Sequence, residues 1–356
     1  MKEIYISDEV RAPGDAYAFE DILAVLLSED EEALRVIYDQ ADRMRSRHVG
    51  EGVHLRGLVE FSNNCSAVCS FCGINALNRG ARRYRMTPDE IYGSAAFATG
   101  LGYRTIVLQS GEDALYGTDD ICRIVERLRT RYGVAVTLSL GERTGPEYER
   151  LRGAGADRYL MRFETSDSAL YSKLKPGSSL EKRLEHIRRI RDAGFQTGSG
   201  IMVGIPGQSV ESIARDIMLF RQLDLDMVGS GPFVPHPDTG MGQGPAGSLS
   251  LVMKVTALTR IVLPGAHIPA TTATGSIDPC GQEMALRVGA NVLMPNMTPP
   301  GYREKYAIYP GKMCVKESPA DSDRTARALI SRIGRHVAEG YGHGRSYYLR
   351  EKGKNG

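Results

Sequence analysis

Residues 53–73 read Val53-His-Leu-Arg-Gly-Leu-Val-Glu-Phe61 followed by Ser62-Asn-Asn-Cys65-Ser-Ala-Val-Cys69-Ser-Phe-Cys72-Gly73. The first nine alternate and run apolar in the manner of a buried strand, so the three cysteines fall in a loop just past a strand end. Parallel barrels keep their active sites there. Three thiolates at Cys-x3-Cys-x2-Cys spacing can hold three corners of a four-iron, four-sulfur cube and leave the fourth iron open. An open iron is a place for chemistry.

Zinc is the first competitor, because short cysteine spacings also build closed tetrahedral sites. A fourth ligand is missing nearby: His54 precedes the loop along the strand, and Cys122 lies far downstream in a helical stretch. Six cysteines in 356 residues are too sparse for a disulfide scaffold, and the first residues carry neither the apolar core nor the cleavage site of an export signal. Iron-sulfur ligation fits best.

Forty-five basic and 43 acidic side chains leave a net charge of +2, too balanced for a polyanion-binding surface, so nucleic acid is not an expected partner. No run approaches the ~18 apolar residues a membrane span needs. The expected location is the cytoplasm, where thiols stay reduced.

Moving outward from the cysteines, short apolar runs recur at 55–61, 105–109, 134–140, 158–162, 197–203, 226–230, 268–272 and 291–294, separated by helical patterns. Eight strands alternating with helices predict an α/β fold, a (βα)8 TIM barrel. Thr87, Pro88 and Glu90 form an N-cap, first-turn proline and capping box. Residues 209–223 and 248–263 read as helices in the same way, and 28–32 as a cap followed by first-turn acids. The expected division is an N-terminal helical extension over 1–50, the barrel over 51–305, and a C-terminal cap and tail over 306–356. Within that last part 320–338 reads as helix and the basic tail 350–356 as disordered. Glycine joints at 110–113, 204–207 and 229–232 fall at strand ends, where backbone can approach a ligand.

The cysteine spacing, with Phe71 before the last cysteine, resembles the signature of the radical S-adenosylmethionine (SAM) superfamily. Further strings narrow the likeness: Arg-Tyr-Arg-Met-Thr-Pro at 83–88, Thr-Ile-Val-Leu-Gln-Ser-Gly-Glu-Asp at 105–113, Ala-Val-Thr-Leu-Ser-Leu-Gly-Glu at 135–142, Ala-Gly-Ala-Asp-Arg-Tyr-Leu at 154–160, Asp-Met-Val-Gly-Ser-Gly-Pro-Phe-Val-Pro-His-Pro-Asp-Thr at 226–239 and Ile-Pro-Ala-Thr-Thr-Ala at 268–273. Over residues 50–315 they resemble the HydE family of [FeFe]-hydrogenase maturases. The resemblance implies a [4Fe-4S] cluster on Cys65, Cys69 and Cys72 and SAM as cofactor, cleaved to a 5'-deoxyadenosyl radical.

It further implies Phe71 and Gly111 beside SAM, Glu112 and Arg183 at its amino and carboxylate ends, Glu164 at the ribose and Met202 at the adenine. Carboxylates accept from ammonium and hydroxyl groups, and an arginine fork matches a carboxylate. Without the family, Arg183 reads as part of a solvated helix face. The implied substrate cavity inside the barrel is lined by Ser110, Thr137, Arg158, Met227, Thr271, Thr272, Met294, Tyr306 and Tyr309. Hydroxyls and an arginine inside a barrel are costly unless they bind something. The implied substrate is a small anionic iron complex of cysteine, carbon monoxide and cyanide. The radical adds to its sulfur, and the product passes toward the di-iron centre. Implied partners are the other hydrogenase maturases and an electron donor.

Some relatives carry a second cluster on three cysteines near the barrel's end; only Cys314 matches here, so none is expected. Cys122, Cys280 and Cys314 read as small core or surface residues. Phe163 stands where the family expects histidine, and His236 reads as a rigid loop hydrogen bond. Biotin synthase needs accessory ligands where Val107, Thr137 and Gly198 stand. A methylornithine-synthase-like mutase, a HydE-like paralogue of another function and a non-catalytic iron-sulfur protein are the alternatives.

Overall fold

The computed structural model describes residues 17–344; the expectations for the first residues and for the 350–356 tail lie outside the described residues. Two helices lead in, α1 (Phe19–Leu27) and α2 (Glu31–Val49). They lie on α8 (Val210–Gln222) and α9 (Leu249–Val262). Lys254 on α9 clamps their junction, its ammonium donating to Leu26 O at 3.2 Å and Ser28 O at 2.6 Å. The acid-rich cap begins at Asp30, whose carboxylate accepts from the N–H groups of Glu32 and Ala33, while Ser28 ends α1.

The apolar runs form parallel staves. β1 (Gly52–Leu55) and β2 (Gly57–Ser62) are one strand broken at Arg56, and every residue of β2 is buried, as covering on both faces requires. β3 (Thr105–Ser110), β4 (Ala135–Ser139), β5 (Arg158–Leu160), β6 (Gln196–Ser199) and, past the short β7 (Met202–Val203), β8 (Met227–Val228) continue in the order β2-β3-β4-β5-β6-β8. β9 (Gly231–Pro232) pairs with β7 beyond the rim.

The ring is closed by a seventh stave too irregular to be a formal strand. Met227 bridges to His267 and Pro269 to Val292, and the N–H of Ala270 donates to Val292 O at 2.9 Å. β10 (Val292–Leu293) then pairs with β1, completing an eight-stave barrel.

Helices α3 (Pro88–Gly100), α4 (Thr118–Tyr132), α5 (Gly145–Gly153), α6 (Ser168–Leu174) and α7 (Leu180–Asp192) occupy the crossovers before α8 and α9. The α3 start has the expected form, with Thr87 accepting from Glu90 N–H and the Glu90 carboxylate returning to Thr87 N–H. Ser209 and Ser248 likewise cap α8 and α9. Short α10 (Thr272–Ile277), α11 (Gly281–Arg287) and α12 (Pro300–Arg303) follow.

The last helix, α13 (Pro319–Arg332), ends earlier than the 320–338 expectation. Gly334 at φ 74° turns the chain out of it, a conformation glycine adopts without steric cost. Residues 336–337 instead become β11 (His336–Val337), paired with β1 through Gly52↔His336 and Val53↔Val337. Beyond it, residues 340–344 form a strap across the N-terminal ends of the staves. Tyr341 O accepts from Thr105 Oγ1 (2.9 Å) and Arg158 Nη2 (2.5 Å), and Gly344 N–H donates to Gln196 Oε1 (2.8 Å). The strap thus lies against the base of the barrel, at the end opposite the cysteine loop. No helix among the described residues is long and apolar enough to cross a membrane.

Candidate active site

β2 delivers its loop to the open rim, and the neighbouring strand ends fix that loop. Gly111 N–H donates to Ser62 O, Ser66 N–H to Glu112 O (3.0 Å), Ser70 N–H to Leu174 O (2.9 Å) and Gly73 N–H to Ile308 O (2.9 Å). Cys65, Cys69 and Cys72 are all free thiols. Gly111 is required by approach: a Cβ there would stand 2.7 Å from the Cys65 Cβ and overlap Asn64 O. Gly73 is similarly pressed against Ala307 and His236. His236 Nδ1 accepts from Asp238 N–H at 3.2 Å, so this histidine stiffens its own loop.

The donor set of this loop bears directly on the implied cube. Among the described residues no three His, Cys, Asp or Glu side chains converge on a point that would hold one metal ion. A cube has a different demand, one thiolate for each of three irons, and the loop offers three thiols and no fourth ligand. The Glu112 N–H lies 3.4 Å from Cys65 Sγ, a donor suited to a thiolate sulfur. Burial pushes the Cys72 thiol up to about 12 and raises Cys65 and Cys69, while Lys175 pulls all three back. A metal replaces those protons, and Lys175 supplies a compensating charge. The residues fit a cluster.

Around this loop lie the residues expected on the cofactor side. Glu112 follows β3, half-buried over Gly141. Glu164 sits past β5 with φ 65°, a left-handed conformation that costs a side chain about 1 kcal/mol. Its backbone is pinned by bonds to Gly200 O and from Met202 N–H, and its Oε2 is buried without a hydrogen-bond partner. Such an orphaned acceptor is what a hydroxyl-bearing ligand would satisfy. Phe71 and Met202, distant in sequence, meet in a small apolar cluster with Leu170, Leu174, Ile205 and Phe233. Arg183 is buried on α7, its Nε donating to Tyr171 Oη at 3.0 Å. Its Nη2 lies 3.2 Å from Glu142 Oε1, paired by charge but poorly aligned for a hydrogen bond.

The expected cavity residues divide by depth. Near the mouth, Tyr306 is buried and accepts from Gln109 Nε2 at 3.2 Å, Ser110 Oγ turns to Gly111 O, and Thr271 caps α10 through Thr274 N–H. Thr272 and Met294 line a side pocket with Lys312 and Cys314. Burial pushes the Tyr309 phenol up to about 12. Thr137, Arg158 and Met227 lie deep. There Arg158 Nη1 is 3.5 Å from Thr137 Oγ1 and Met227 Sδ is 3.1 Å from Arg56 Nη1. Arg158 is engaged from below, its Nη2 donating to Tyr341 O, Gly342 O (2.9 Å) and the His343 ring.

Sequence reasoning missed the basic floor around Arg158. Arg56 is fully buried with no carboxylate partner among the described residues. Burial, with Arg56 and Arg158 adding repulsion, holds His54 near 3, and burial likewise lowers His267 and takes His343 to about 4, so all three imidazoles are neutral. Also missed was the buried pair of Lys312 and Glu60, whose other carboxylate oxygen accepts from Asn296 Nδ2 at 2.8 Å. A glutamate and an arginine inside apolar strands were the available signal.

A closed parallel barrel with a three-cysteine loop at its carboxyl rim defines the radical SAM class, and residues 59–220 match the Radical SAM superfamily. Over 306 residues the chain is 46% identical to [FeFe] hydrogenase maturase subunit HydE of Thermotoga maritima, covering 86% of this chain and 88% of that one. The chain belongs to the HydE family of radical SAM enzymes. It is also 28% identical over 316 residues to 3-methylornithine synthase of Methanosarcina acetivorans, covering 88% and 87% of the two chains. The crystal structure of methylornithine synthase (PylB) superposes with a TM-score of 0.80 at 25% identity, covering 92% of this chain and 95% of that one.

Proposed function

We propose that this chain is a hydrogenase maturase that uses a [4Fe-4S] cluster and SAM to act on a small anionic, sulfur-bearing iron complex inside the barrel. One observation carries the reading: three thiols, the orphaned Glu164 carboxylate and the Phe71–Met202 apolar wall converge on one rim of a barrel whose floor is cationic.

In this reading Cys65, Cys69 and Cys72 hold the cluster, and Glu112 and Arg183 take the ammonium and carboxylate of SAM. Glu164 accepts from the ribose, while Phe71 and Met202 cover the adenine. The cluster and SAM, when bound, supply one electron and a 5'-deoxyadenosyl radical. The chain's own work is positioning and dryness. Gly111 lets the Glu112 backbone reach the cysteine loop, and the 340–344 strap fixes the Arg158 guanidinium from below. The basic floor at Arg56 suits an anion drawn into the barrel, with Ser110, Thr137, Thr271 and Tyr306 as polar contacts. Assembly with other maturases and an electron donor, in the cytoplasm, follows from the same reading.

The barrel's 0.80 superposition on methylornithine synthase favours a second reading, a mutase in the same barrel. Anaerobic reconstitution with SAM and dithionite tests both. A maturase yields 5'-deoxyadenosine or an adenosylated product, loses it in Cys69→Ala with the barrel intact, and makes no 3-methylornithine. Intact SAM would reject both enzyme readings.

A further inference from the structure

We propose that the outer face of the cysteine loop is a docking platform for a small acidic one-electron carrier protein; this rests on the reading of the three cysteines as cluster ligands. Between Glu60 and Asp89 the chain has no carboxylate and four arginines, Arg79, Arg82, Arg83 and Arg85. Two are spoken for. Arg85 pairs with Asp113 at 2.6 Å. Arg83 is consumed by backbone, donating to the carbonyls of Asn63, Ile74, Asn75 and Asn78 at 2.6 to 3.2 Å. Arg79 and Arg82 remain, exposed and without an ion pair among the described residues.

The loop that carries them is stiff. Asn75 Nδ2 donates to Cys72 O (2.6 Å), its Oδ1 accepts from Leu77 and Asn78 N–H, and Asn78 Nδ2 donates to Gly73 O (2.7 Å). This framework projects Leu77 into solvent at 73% exposure, while Leu115, across the cysteine loop, is 74% exposed. They are the two most exposed large apolar side chains described, and both flank the same short segment. Ala76 N–H donates to Ala67 O (2.8 Å) on one side, and Glu112 O accepts from Ser66 N–H on the other. A leucine held out by so many fixed bonds is a presented surface, unlike the scattered apolar residues normal on any protein.

Charge selects the occupant. Exposed apolar side chains with two unpaired arginines on the segment that carries Leu77 favour an acidic partner and quick, salt-sensitive, weak docking, the kind electron carriers use. A carrier seated on Leu77 and Leu115 is separated from the three thiols by one loop.

The probe is an acidic low-potential flavodoxin with its reductase, added to the anaerobically loaded enzyme. Binding is followed by biolayer interferometry at low and high salt, and contacts by crosslinking. Wild type is expected to bind less tightly as salt rises. Arg79→Glu/Arg82→Glu and Leu77→Ser/Leu115→Ser are each expected to weaken binding about tenfold or more and to slow flavodoxin-driven SAM cleavage in parallel. Dithionite-driven cleavage stays unchanged in both. Unaltered binding by both variants, salt-insensitive binding, or self-association through this face would overturn the proposal. Failure of wild type to cleave SAM with dithionite would instead strike the cluster reading beneath it, and the two failures are separately visible.

Discussion

Glu112 is seated directly over the α-carbon of Gly141: a methyl group added there would overlap the glutamate's Cγ and crowd its Oε1. Gly141 itself holds φ 75°, and its carbonyl accepts from Tyr159 Oη at 2.8 Å. The end of β4 therefore sets the position of a carboxylate that belongs to the end of β3.

Gly141→Ala is expected to cost about 1 kcal/mol in stability from its left-handed backbone and to raise KM for SAM roughly tenfold by displacing Glu112. Gly133→Ala is the control, since Gly133 has φ 59° and nothing near its missing Cβ. Equal SAM binding in the two variants, measured calorimetrically, would separate Glu112 from the cofactor.

Glu142 stands between Arg183 and His186, whose Nε2 is 3.4 Å from the second carboxylate oxygen. Glu142→Gln removes the charge that aims Arg183, so KM for SAM is expected to rise several-fold with kcat largely kept. Burial lowers the His186 pKa and Glu142 opposes that shift. NMR titration should find the imidazole more acidic in the variant.

The Lys312–Glu60 pair is buried on both sides. Lys312→Met alone leaves a carboxylate stranded and is expected to cost about 3 kcal/mol. Adding Glu60→Gln, which keeps an acceptor for Asn296, should recover much of that loss. Urea unfolding of the two singles and the double measures the coupling; strict additivity would show the charges act independently.

Asp216 accepts from Ser166 N–H at 2.5 Å through Oδ1, while Oδ2 is buried without a partner. Burial pushes its carboxyl up to about 7. The folded chain thus binds this proton more tightly than the unfolded chain. Its stabilising effect is complete below the ordinary carboxylate range and is lost as pH rises through about 7. Asp216→Asn should flatten the fall in stability between about pH 5 and 7 relative to wild type, with a limiting difference in slope near 1.4 kcal/mol per pH unit. Parallel melting-temperature profiles would refute the assignment.

The features legible in the sequence were those with local causes. Thr87, Ser209 and Ser248 announced their helices because a cap is read within four residues, and the cysteine loop announced itself by spacing. The strap was invisible because Arg158 meets Tyr341 across 183 positions through a backbone carbonyl that no side-chain pattern encodes. The Lys312–Glu60 pair spans 252 positions and was hidden for the same reason. The run 268–272 read as an ordinary strand, yet only isolated bridges formed, at His267 and Pro269. There the buried Asn291 side-chain Oδ1 accepts from Ile268 N–H at 2.9 Å, replacing part of the ladder by a side chain.

The register of β11 on β1 also bears on how the chain is made. Gly52 waits for His336, so the first stave keeps a vacant edge until synthesis has passed residue 336. Such distant parallel pairing slows closure. During synthesis the half-built ring exposes that edge, and a chaperone that shields it should raise the yield of native enzyme more than one acting on the finished chain.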